Sequence, residues 1–223
     1  YVTAPIVAGA ALSVKAWKEV DEAYDTIIKK TGATGDAAES LQKTCEDLAT
    51  SIPTSFGNAA EAVGEVNTRF GVTDDKLKQL SSDFIKFADI NGTNVSTSVD
   101  KVQATLASFN LSADKAGGYL DVLTAASQKT GVNVETLADD VMKNATSFKQ
   151  MGYSIEDAIS IEELRKMSVE ALEAKLKELK SELFNLRFQH AINQLDNPHK
   201  MTEVKHDIAR VMTVLQEMKK EEA

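Results

Sequence analysis

The side chains able to do chemistry are few, and in sequence they do not converge. Asp74-Asp75 and Asp139-Asp140 are paired carboxylates, but general acid–base work needs a partner held at a tuned pKa. No histidine lies near either pair, so they read as charges at helix starts or on solvent faces. Cys45 is the single cysteine, which excludes an internal disulfide and a cysteine-rich metal site. With no histidine or second cysteine beside it, Cys45 reads as an unreactive thiol of a reducing compartment. His199 and His206 are seven apart and share a helix face. Neither they nor His190 has the carboxylate or thiol needed to complete a known metal spacing. Thr31-Gly-Ala-Thr-Gly-Asp36 lacks the Gly-Lys-Ser/Thr ending of a phosphate loop and reads as a connection. Asn91, Asn94, Asn110 and Asn144 each open an Asn-X-Ser/Thr triplet, and helix capping explains these residues better than glycosylation. The expectation is a protein that is not an enzyme, with no catalytic residue, metal, cofactor or small-molecule substrate.

The elements that would carry these residues are helical. Three prolines and 6% aromatics suit helices better than many short strands. The short phrases Gly71-Val-Thr73, Asn110-Leu-Ser112, Gly131-Val-Asn133 and Gly152-Tyr-Ser154 repeat one logic. A Gly or Asn in the left-handed conformation ends a helix, an apolar residue staples, and a Thr, Ser or Asn oxygen caps the next. Between them run stripes at helical spacing: Leu77, Leu80, Phe84, Phe87; then Val99, Val102, Leu106, Phe109; then Leu137, Val141, Phe148. Earlier, Trp17, Val20, Tyr24 and Ile27 form one stripe and Leu41 and Leu48 belong to another, with Pro53 opening the helix that leads to Phe70. Abundant alanine lets these helices pack closely. The opening stretch YVTAPIVAGAALSVKAW has signal-like hydrophobicity but no basic residue before it, and it is too short to span a bilayer. It reads as a small-residue helix beginning inside a longer parent.

A different pattern starts after Ser160. Leu172, Leu176, Leu179, Leu183 and Leu186 make one heptad seam, and Met201, Val204, Ile208, Val211, Leu215 and Met218 make another. Ser168 is placed to cap the first long helix, and Asp196 or Asn197, with Pro198, to open the second. So short a connection forces an antiparallel hairpin. Phe184 and Phe188 lie beside the seam, finishing its core or widening an apolar face for a partner. At the junction, Ser154-Ile-Glu-Asp157 and Ser160-Ile-Glu-Glu163 write a helix start twice, which predicts a seam near Ser160 with Ile161–Lys166 as a short turn. The alternative is one helix continued by Ile155, Ala158, Ile159 and Leu164, since no Gly/Ser linker intervenes. The formal net charge is −9; residues 1–160 hold 14 basic against 22 acidic side chains, residues 161–223 hold 11 against 12. The first part should repel nucleic acid, whereas the second can carry a local basic face.

The phrases SIPTSFGNAAEAVGEVNTRFG and ADINGTNVSTSVDKVQATLASFNLSADKAGGYLDVLTAASQKTGVNVETLADD resemble the core of phage tail tape measure proteins, over essentially residues 1–158. That resemblance implies a structural fragment with phage tail proteins as partners and a virion tail as the parent's location. The phrases Phe184-Asn-Leu-Arg187, Gln194-Leu-Asp-Asn197 and Ile208-Ala-Arg210, with IEELRKMSVEALEAKLKEL upstream, resemble the bacterial large-subunit ribosomal protein family L-twenty-nine. It implies a hairpin bound to large-subunit ribosomal RNA near the exit tunnel, in the cytoplasm. By that resemblance Arg187, Lys200, Lys205 and Arg210 are the RNA-binding residues, as phosphate contacts giving salt-sensitive affinity. His206 and Met212 depart from the basic pattern of the family.

The expectation is therefore an all-α chimera: a helical array over 1–160, then an antiparallel coiled-coil-like hairpin over 161–223. Its function would be structural, with rRNA binding in the hairpin; the alternative is an artificial fusion or helical scaffold that retains no RNA binding.

Overall fold

The computed structural model describes residues 10–221 apart from Asn193 and Asp196, with side chains from Trp17 to Lys220. It is all helical: α1 (Ala10–Thr31), α2 (Asp36–Ser51), α3 (Phe56–Phe70), α4 (Asp74–Asn91), α5 (Val95–Ser108), a 3-10 turn at Ala113–Lys115, α6 (Ala116–Thr130), α7 (Val134–Gln150), α8 (Ile155–Arg165), α9 (Val169–Ala191) and α10 (His199–Glu221). Residues 1–9 of the apolar start, and Asp196 as the alternative cap, lie outside the described residues.

Local chemistry sets most of these boundaries. Gly131 ends α6 at φ 72°, a conformation that costs a side chain about 1–2 kcal/mol, and the Asn133 oxygen then accepts from the Glu135 N–H at 2.7 Å. Gly152 repeats the stop, and Ser154 and Asp157 form a reciprocal capping box with both bonds at 3.1 Å. Two expected caps differ. Thr73 donates its hydroxyl to Asp74 at 2.7 Å, and Ser112 donates to Asp114, so neither oxygen accepts from a helical N–H. In both cases the hydroxyl is turned toward a nearby carboxylate, and its oxygen is not placed to accept from the first turn of the helix. Pro53 does not open α3; Ser55 does, accepting from the Asn58 N–H at 3.1 Å.

The expected stripes supply the core: Leu77, Phe84, Val99, Val102, Leu106, Leu137, Val141 and Phe148 are at most 2% exposed. α3 lies at the centre of the first half, touching α1, α2, α4 and α5; α5 then leads to α7, and α6 and α7 together carry α8. Buried Ala59, Ala60 and Ala62 keep the crossings close, and at Gly64 a methyl would meet Lys30 Cδ at 2.9 Å. Trp17 is a correction: it is 46% exposed rather than in the core. α1 has 22 residues against 15 in α3. Lys30 sits beside Glu61 and Glu65, so the turn holding Trp17 projects past the end of α3.

Glu65 in α3 is buried among donors: Lys30, Ser96 at 3.0 Å and Arg69 at 3.5 Å. Burial pushes its carboxyl up, but the bonds and charges of these donors outweigh that and hold it below the ordinary value. A lowered folded-state pKa stabilises above the unfolded value and loses that contribution as pH falls through the folded one. Glu65→Gln is expected to cost about 1–3 kcal/mol at pH 7, the gap to wild type closing as pH drops through and below the carboxylate range. Denaturant midpoints at several pH values would check it; a gap that stays constant with pH contradicts the assignment.

The junction settles in favour of continuity. α8 runs unbroken from Ile155 to Arg165, and Ser160 sits within it. The second start signal is therefore not a helix start, and Ile161–Arg165 are the last turns of α8 rather than a separate turn. Ile155, Ala158, Ile159, Ile161 and Leu164 are all buried, because α8 is enclosed by α6, α7 and α10. Surrounding packing, not a cap at Ser160, decides the conformation here.

Candidate nucleic-acid interface

The hairpin is built as its seams require. Ser168 caps α9, accepting from the Ala171 N–H at 3.2 Å, and Asn197 accepts from the His199 N–H at 3.0 Å to open α10. Leu172, Leu179, Leu183 and Leu186 meet Val204, Val211, Val214 and Leu215, all buried, while Leu176, Met201, Ile208 and Met218 are partly covered. Each buried side chain of this size contributes roughly 1.5–3 kcal/mol. Burial does not extend to Phe184 and Phe188, which are 70% and 60% exposed.

Among the described residues two ion pairs join the long helices, Glu173–Lys219 at 3.0 Å and Glu182–Lys200 at 3.4 Å. With about 100° per residue, Glu173 and Glu182 fall on opposite flanks of the α9 seam, and so do Lys219 and Lys200 on α10. The hairpin therefore has two distinguishable sides. Arg187 falls on the Glu173 flank of α9 and Lys205 on the Lys219 flank of α10, so these two cations share a side. Arg210 falls on the other, with Lys200. The four basic residues expected to act together are thus divided in pairs.

Their surroundings differ as much as their directions. Arg187 and Lys205 are exposed, with no carboxylate partner among the described residues. Lys200 holds Glu182. Arg210, with its side chain 17% exposed, bonds to Asp207 at 2.7 Å and to Asp157 of α8. Asp157 also caps α8, so Arg210 fastens the hairpin to the helix that precedes it. Next to this pair, Arg165 donates twice to Glu217, at 2.9 and 3.1 Å, and once to Glu162 at 2.8 Å. Burial works against the Arg165 charge, but Glu217 and Glu162 outweigh it and raise its pKa. Glu162, 3% exposed, also accepts from Asn144 of α7 at 3.0 Å. One side of the hairpin is thereby neutralised and covered, and the other is open and cationic. This division is not legible in the sequence: the Asp157–Arg210 contact spans 53 residues and no local pattern announces it.

His190, His199 and His206 are exposed and separate from Arg165 and Glu162. Cys45 is buried, and burial, with the Glu46 charge, pushes its thiol up to about 12. Elsewhere, α4 and α6 border an open groove of about 1010 Å³. Asp83 lines it with its carboxyl raised by burial, Lys86 opposing and Asp121 adding like charge. No histidine or cysteine is among its lining residues. Among the described residues no helix is long and apolar enough to cross a membrane.

The Ribosomal L29 protein family model matches residues 162–217. The large ribosomal subunit protein uL29 of Acetivibrio thermocellus is 60% identical over 55 residues, 25% of this chain and 82% of that protein. Those of Natranaerobius thermophilus and Clostridium botulinum are 58% and 53% identical, over 25% and 27% of this chain and 85% and 86% of theirs. No solved structure matches the chain at a significant level. An open cationic side on a leucine-seamed hairpin, and relatives matched over most of their length, agree: through its C-terminal residues this chain belongs to the Ribosomal L29 protein family, whose members are structural and non-enzymatic.

Proposed function

We propose that the hairpin binds large-subunit ribosomal RNA through the side that carries Arg187 and Lys205. The observation that carries this reading is that both cations are exposed, share one side and form no salt bridge among the described residues. Lys200 adds a contact near the tip of the hairpin by exchanging Glu182 for phosphate. Arg210 takes part only where RNA displaces Asp157. The name shared by the relatives supports the choice of RNA and a ribosome-associated, cytoplasmic location. We propose also that residues 1–160 are a tape-measure-like helical unit and residues 161–223 a separate inheritance, a chimera whose first part came from a phage tail with tail proteins as partners. The repeated stop–staple–cap phrases at Gly131–Asn133 and Gly152–Ser154 support a regular helical array of that kind.

A second reading has a specific observation behind it. Asp157 and Asp207 hold Arg210, so the chain could be a helical scaffold in which RNA binding is lost. The two separate in a salt series of the full chain on large-subunit rRNA. Each phosphate contact contributes about −0.7 to −0.9 to the slope of log affinity against log salt. Arg187→Ala with Lys205→Ala is expected to weaken binding about tenfold near physiological salt and to flatten the slope by about 1.5. A wild-type chain that does not bind establishes the scaffold; one whose slope is untouched by the double variant moves the interface elsewhere.

A further inference from the structure

The open side of the hairpin carries more than charge. Lys177, Lys180, Phe184, Arg187 and Phe188 follow one another at steps that keep them on one flank of α9, within about 100°. The acids of α9 stand clear of Phe184, Arg187 and Phe188: Glu170 and Glu173 precede them, and Glu178 and Glu182 lie toward the flank that pairs with Lys200, with Lys177 at the border between the two. Lys177, Lys180 and Arg187 have no carboxylate partner among the described residues. Phe184 and Phe188 are the two most exposed phenylalanines described, at 70% and 60%. They stand one turn apart, about 6 Å along the axis, with the guanidinium of Arg187 between them in sequence.

Exposed rings framed by unpaired cations fit a ligand that offers negative charge and flat apolar faces together. An RNA with unpaired bases offers both. A continuous duplex offers only the charge, because its base faces are stacked inside the helix. We infer that Phe184 and Phe188 are stacking platforms for unpaired bases, so that the hairpin selects a loop or bulge over continuous duplex. In this arrangement Lys177, Lys180, Arg187 and Lys205 take the flanking phosphates, and each ring takes one base. Stacking of this kind tolerates any base and sets structure preference rather than sequence. The inference rests on the RNA-binding reading above and goes beyond it by assigning the class of RNA.

The test uses the full chain and two labelled RNA probes of equal length, one a stem with an unpaired loop and one fully paired. Wild type is expected to prefer the looped probe about tenfold or more. Phe184→Leu with Phe188→Leu keeps exposed apolar bulk and helix propensity but removes the flat rings. It should abolish the preference while leaving the salt slope unchanged, since no charge is altered. A double leucine variant that still prefers the looped probe, or a wild type that binds both probes equally, overturns the inference. An apolar docking surface for a protein would behave in that way, because leucine preserves it. If Arg187→Ala and Lys205→Ala weaken binding while the leucine variant matches wild type, stacking fails and the RNA reading stands. If wild type binds neither probe nor rRNA, the RNA reading itself fails and the inference with it.

Discussion

Ser160→Pro is expected to destabilise the chain by about 3 kcal/mol or more, although the residue lies where two start signals meet and a joint would tolerate it. Ser160 is the sixth residue of the eleven in α8. Proline there deletes the N–H that bonds four residues back and drives its ring into that carbonyl. The damage would not stay local. Ile155 and Ala158 before the break and Ile161 and Leu164 after it are all buried, and a kink cannot keep both groups seated. Asp157 lies before Ser160 and holds Arg210 of α10, whereas Arg165 lies after it and holds Glu217. Changing the angle between the two turns pulls at least one of these pairs apart. Ser160→Ala is the control, expected within about 0.5 kcal/mol of wild type. Chemical denaturation of the three proteins decides it: if the proline variant unfolds with wild type, α8 is two segments and the junction is a joint.

This junction also shows what the sequence discloses and what it withholds. Ser154-Ile-Glu-Asp157 and Ser160-Ile-Glu-Glu163 are nearly the same words, yet only the first follows a residue like Gly152 that terminates a helix. A cap needs the chain to arrive extended, and nothing before Ser160 makes it do so. The stripes through Phe84, Leu106, Leu137 and Leu172 were legible because period and burial are one property of a helix against a core. Trp17 carried the same period and is exposed, because a period cannot report that the facing helix has ended. The candidate site was legible in part. Arg187, Lys200, Lys205 and Arg210 were identifiable from their surrounding phrases, but which flank each takes depends on the register of two helices. Whether each is free depends on carboxylates elsewhere: Glu182 for Lys200, Asp157 for Arg210. Phe184 and Phe188 were visible beside the seam, but only tertiary structure separates a ring that completes a core from one left in solvent.

Phe148→Ala is expected to be the costliest single truncation at the junction, at about 3–5 kcal/mol. Phe148 is 1% exposed near the end of α7. It meets the Tyr153 ring edge-on at 6.2 Å, and the Arg165 guanidinium lies 5.7 Å from its centroid on α8. The ring thus fills the space between α7 and the turn into α8, and it supports the guanidinium that neutralises Glu162 and Glu217. Alanine leaves a cavity the fixed ends of α7 and α8 cannot close, and it removes the cation–π contact, about 1 kcal/mol at a partly exposed site. Because Arg165 also binds Glu217 in α10, the loosening passes into the hairpin. In a chain of this size each kcal/mol lowers the midpoint by roughly 2–4 °C, so a fall on the order of 10 °C is expected. The form of the transition is the sharper test. If the core is continuous through α8, helix signal and near-ultraviolet signal fall together in one shifted transition. Should the hairpin melt at its wild-type temperature while the remainder melts early, the Arg165 network does not couple the two parts. The Asp157–Arg210 pair would then be a surface contact rather than the fastening of one side of the hairpin.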